Sequence, residues 1–92
     1  MQSEQFTTRP TEPIEALPPI AAMEIPGHLA ELAEVYLGLI LRSAPAVLDS
    51  TAARAEGFVL GLQAAQAITQ PQYEQLQALY IAALRHARAR RE

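Results

Sequence analysis

Apolar positions change their rhythm twice along this chain. Up to Pro26 they are scattered among prolines: Ile14, Leu17, Ile20, Met23 and Ile25 recur between Pro10, Pro13, Pro18, Pro19 and Pro26. Each proline removes a backbone donor and restricts the residue before it, so residues 1–26 predict an extended or irregular arm. The apolar residues of this arm suit either packing along a helical body or ordering on a partner. From His28 the spacing becomes helical. Leu29, Leu32, Ala33, Tyr36, Leu37, Ile40 and Ala44 mark one face, and Val35, Leu39 and Leu41 add apolar surface on its flanks. The pattern predicts a helix over 28–44, introduced by Pro26-Gly27 and followed by Pro45. A helix this apolar around its circumference has no wet side in a monomer, and something must cover it.

A second helix is predicted over 49–67, with Asp49 or Ser50 as N-cap. Ala52, Ala55, Phe58, Val59, Leu62, Ala65 and Ile68 follow helical spacing there. Gly57 and Gly61 lie one turn apart within it and each costs about 1 kcal/mol relative to alanine. Close approach of a neighbouring helix would account for them, although G-x-x-x-G spacing is a weak signal outside membranes. A third helix, 70–90, starts at once. Thr69 can cap it, Gln72 completes a T-x-x-Q capping box, and Pro71 sits in the first turn where its missing N–H costs nothing. So short a connection folds the two helices back as a hairpin. Phe58, Leu62, Tyr73, Leu76 and Tyr80 are its expected core.

The stretch "LQAAQAITQPQYEQLQALYIAAL", residues 62–84, resembles the short helical hairpin of bacterial SHOCT-type modules. That pattern is an apolar helix, an Ile-Thr step, a polar pair, an aromatic and spaced leucines. Ile68, Thr69, Tyr73, Leu76 and Leu84 stand at the matching positions. Where the family usually carries glycine before the Ile-Thr step, this chain has Gln66-Ala67. The resemblance covers about a quarter of the chain and implies oligomerisation or partner docking rather than catalysis. The hairpin also resembles those of small phage and plasmid accessory proteins, a likeness that bears on context only.

Composition narrows the function classes. Ninety-two residues, half of them hydrophobic, make at most one domain and not a disordered polypeptide. The apolar content is mainly alanine and leucine, which suits close-packed helices. Without cysteine there is no disulfide, thiolate metal site or thiol nucleophile, which fits a reducing cytoplasm. No export signal opens the chain, and the longest apolar run, "VYLGLIL", is far short of the roughly 20 residues of a spanning helix. Net charge is −3, with an acidic first half and all cations arginine, a usage expected of a GC-rich bacterial or phage genome.

Little in the sequence supports chemistry. His28 and His86 lie far apart with no partner at ligand spacing, and Glu31 and Glu34 read as solvated carboxylates. No phosphate loop or nucleophile elbow is present. No catalytic residue, metal ligand or cofactor is therefore assigned. A helix-turn-helix over residues 58–80 would place glutamines where adenine edges are read, but it contains Glu74 and no arginine before Arg85. Nucleic acid is disfavoured as a partner. The one charge cluster, "RHARARR", places Arg85, Arg88, Arg90 and Arg91 for electrostatic contact, or simply as a solvated helix end.

The expected protein is thus all-α, a small three-helix bundle over residues 27–92 preceded by a proline-rich arm over 1–26. A core this small is marginal alone. Self-association as a homodimer, or an unidentified protein partner, is expected through Val35, Tyr36, Leu39, Ile40 and Leu41. The leading reading is a non-catalytic, cytoplasmic interaction module acting stoichiometrically. The alternative is a phage- or plasmid-encoded accessory regulator or inhibitor contacting nucleic acid or a host protein through its charged ends.

Overall fold

The structure, a computed structural model, describes residues 14–90. Among these the protein is all-α, with three α-helices: α1 (Gly27–Arg42), α2 (Leu48–Ala64) and α3 (Gln70–Arg90). Helices α2 and α3 form the hairpin, and α1 packs against both. Alanines set the closeness of this packing. Ala33 of α1, Ala55 of α2, and Ala83 and Ala87 of α3 are fully buried where the helices meet. Ile20, Ile40, Val59 and Leu76 are the largest side chains wholly withdrawn from solvent.

The arm belongs to this core from residue 14 onward. Its course is irregular, with two short 3-10 turns, Ile14–Ala16 and Ile20–Met23. The second packs on α1 and α3 and carries Ile20, Met23 and Ile25 into the hydrophobic cluster. The hydrophobic core therefore does not stop at residue 26. Glu24 ends this turn with φ 61°, a left-handed conformation that redirects the chain into α1.

Helix α1 ends at Arg42, two residues before the predicted limit. Ser43 and Ala44 take extended ψ values of 142° and 152°. Pro45 drives its predecessor out of the helical region in this way, and a 3-10 turn, Pro45–Val47, leads directly into α2. Neither Asp49 nor Ser50 caps α2. Val47 occupies the cap position, and the Ser50 and Thr51 hydroxyls donate back to its carbonyl at 3.0 and 2.8 Å.

The α2–α3 connection closes as its local chemistry requires. Gln72 N–H donates to Thr69 Oγ1 at 3.2 Å, and Thr69 N–H donates to Gln72 Oε1 at 2.8 Å, the reciprocal bonds of a capping box. Helix α2 stops at Ala64 rather than 67. Ala67 N–H donates to Leu62 O and Gln66 N–H to Gln63 O, both at 2.9 Å, a Schellman arrangement. Its left-handed residue is Gln66, with φ 60°.

Gly57 and Gly61 do not mark a helix contact. A Cβ at either position would meet nothing within 4 Å, and both glycines face solvent. No helix among the described residues is long and apolar enough to cross a membrane.

Candidate interaction surface

Helix α1 presents two unlike faces. Inward, Ala33 and Ile40 are buried, and Tyr36 stacks on Phe58 of α2 with ring centroids 4.8 Å apart at 26°. Tyr80 of α3 reaches across and donates its hydroxyl to the Ala33 carbonyl at 2.7 Å. Burial, with smaller contributions from the Glu34 carboxylate and Tyr36, holds the Tyr80 phenol well above its ordinary value. It stays protonated and keeps donating. Outward, Leu32, Val35 and Leu39 are 46%, 52% and 40% exposed. Their spacing of three and four residues aligns them in one stripe.

This divides the predicted interface residues. Val35 and Leu39 lie on the outward stripe. Ile40 is 0% exposed and belongs to the core rather than to the outward face. Tyr36 and Leu41 are half-buried and pack against the core cluster. Leu32 belongs to the stripe, although its spacing from Leu29 and Tyr36 assigns it to the inner face. The signal for it was its position three residues before Val35 and seven before Leu39.

The arginine cluster is similarly divided. Arg88 Nη2 pairs with Asp49 Oδ1 at 2.6 Å, tying the end of α3 to the start of α2. Arg90 Nη2 donates to the Leu41 carbonyl at 2.5 Å, where a cation complements the C-terminal end of α1. Arg85 is exposed and makes no polar contact among the described residues, and Arg91 lies outside them. Three glutamines of α3 are also engaged within the chain. Gln72 Nε2 donates to the Met23 and Glu24 carbonyls at 3.0 and 3.1 Å. Gln70 bonds Gln63 and Glu74, and Gln77 donates to the Tyr73 hydroxyl.

Between α2 and α3 lies a groove of about 270 Å³. Ile40, Val59, Tyr80 and Leu84 supply apolar lining, and Glu56 and the Asp49–Arg88 pair supply polar lining. Among the described residues no three His, Cys, Asp or Glu side chains gather as metal ligands would. His28 and His86 are both exposed.

No protein-family model matches this chain, and no curated protein or solved structure is significantly similar to it.

Proposed function

We propose that this protein is a small cytoplasmic interaction module that docks a protein surface through the outward face of α1. The observation that carries this reading is the stripe Leu32, Val35 and Leu39, three large apolar side chains left half in water on one face. An apolar stripe bordered by charge marks an interaction site on a protein of this size. Glu31, Glu34 and Arg42 provide that border. The likeness of residues 62–84 to SHOCT-type hairpins, which implies docking or oligomerisation, supports the same reading. The protein acts stoichiometrically, by occupying a surface, and requires no cofactor. The arginine-rich end is a weaker docking element, because Arg88 and Arg90 are already engaged within the chain.

Affinity capture with wild-type and Leu39→Glu protein as parallel baits tests this reading, with self-association of both baits measured alongside. Leu39 is exposed enough for the substitution to leave the fold intact. A bound protein, whether another species or the chain itself, should be present with the wild type and lost with the variant. If Leu39→Glu and Val35→Glu alter neither capture nor self-association, α1 is not a docking face.

A further inference from the structure

The outward face of α1 is complementary to itself when run in the opposite direction. At 3.6 residues per turn, Leu32 and Leu39 lie on one flank of Val35, and Glu31, Gly38 and Arg42 lie on the other. Charge is divided along the helix: Glu31 and Glu34 precede Val35, and Arg42 follows it. The Arg42 guanidinium does not project past the helix end. It folds back over Gly38, where a Cβ would lie 2.7 Å from its Nη1. The positive charge thus sits level with Gly38, beside the apolar stripe, about one turn from Val35.

We propose that the occupant of this face is a second copy of the chain, packed α1 against α1 in antiparallel, two-fold fashion with Val35 at the axis. The proposal rests on the docking reading above and specifies its partner. In this register Leu32 meets Leu39 of the second copy, and Val35 meets its own equivalent. The guanidinium of Arg42 arrives beside Glu31 of the second copy, and the reciprocal contact forms at the other end. A two-fold axis makes the interface isologous, so the leucines share one rim and the charges share the other. A parallel two-fold pairing exchanges the flanks, so Glu31 and Arg42 of one copy would lie against Leu32 and Leu39 of the other and neither charge would find its opposite. Antiparallel pairing is the arrangement in which the stripe and its charges are satisfied together.

Size sets the strength. A 16-residue helix is about 24 Å long at a rise of about 1.5 Å per residue. One such helix pair falls among the small interfaces, below about 1,200 Å², so the dissociation constant is expected on the order of micromolar.

Sedimentation equilibrium across a range of concentrations tests the proposal, using the full chain and exposed substitutions whose folding is checked by circular dichroism. The wild type should pass from monomer to dimer, and Leu39→Glu should remain monomeric. Glu31→Arg alone and Arg42→Glu alone each set like charges across the rim and should weaken association by about tenfold or more. Mixed together, the two variants should recover a heterodimer, since each supplies the charge the other lacks. A wild type that stays monomeric well above micromolar concentration overturns the second copy as occupant. Single charge variants that dimerise as the wild type does overturn the antiparallel register. If self-pairing fails while capture of another protein still depends on Leu39, the docking reading stands with a different partner.

Discussion

Gln66 occupies a backbone position that glycine fills without strain. Its φ of 60° is left-handed, and the Schellman bonds around it need that geometry. Gln66→Gly should therefore stabilise the protein by about 0.5–1 kcal/mol, read as a raised denaturation midpoint. Gln72 works in the other sense. Its Oε1 accepts from Thr69 N–H while its Nε2 donates to two arm carbonyls, so Gln72→Ala should cost about 1–2 kcal/mol. The Thr69–Gln72 box was legible in the sequence because all its parts lie within four residues. The bonds from Gln72 to Met23 and Glu24 were not, because nothing local announces a partner almost fifty positions away. Tyr80 adds a pH dependence. Its folded pKa lies above the unfolded value of about 10, so its contribution is fully present below that value and is lost as pH rises beyond it. Urea midpoints measured from neutral pH upward should fall above about pH 10, and Tyr80→Phe should flatten that fall.

At the scale of elements, all three α-helices stand where periodicity places them, and their ends differ for local reasons. Pro45 shortens α1 and the Gln66 turn shortens α2. The faces of α1 were harder to read. When Leu32, Val35, Leu37, Leu39, Ile40 and Leu41 surround a helix, spacing alone cannot say which side turns inward. Packing against α2, α3 and the arm decides it, taking Ile40 in and leaving Leu32, Val35 and Leu39 out. Gly57 and Gly61 carry the opposite lesson, since a spacing that suggests helix contact falls on an open face. Gly57→Ala and Gly61→Ala should each stabilise α2 by about 1 kcal/mol, raising Tm by several degrees in thermal melts. Had either glycine faced a helix within the chain, the same change would lower Tm.

For the molecule as a whole, the proline-rich arm is structural from Ile14 onward. Ile20, Met23 and Ile25 are buried, and withdrawing each side chain from water is worth about 1.5–3 kcal/mol. Together they approach the entire net stability of a small domain, about 5–15 kcal/mol. A chain beginning at residue 27 should therefore melt well below the full-length protein, read as a lowered Tm in thermal unfolding. The arm was legible as irregular, and its apolar residues as capable of packing, but not as a wall of the core. Distance in sequence again explains the gap, as it does for Arg88 and Arg90, whose partners in α2 and α1 lie 39 and 49 positions earlier.

The Gln72 linkage also bears on the order of folding. Helices α2 and α3 meet through contacts close in sequence, which form early, whereas the arm reaches Gln72 only by closing a loop of almost fifty residues. The capping box fixes the side chain that the arm must find, so the arm is expected to dock after the hairpin has formed. In native-state hydrogen exchange, the amide of Ala22, bonded to Pro19 O within the arm turn, should open in a smaller, earlier unit than the amides of the α2–α3 hairpin.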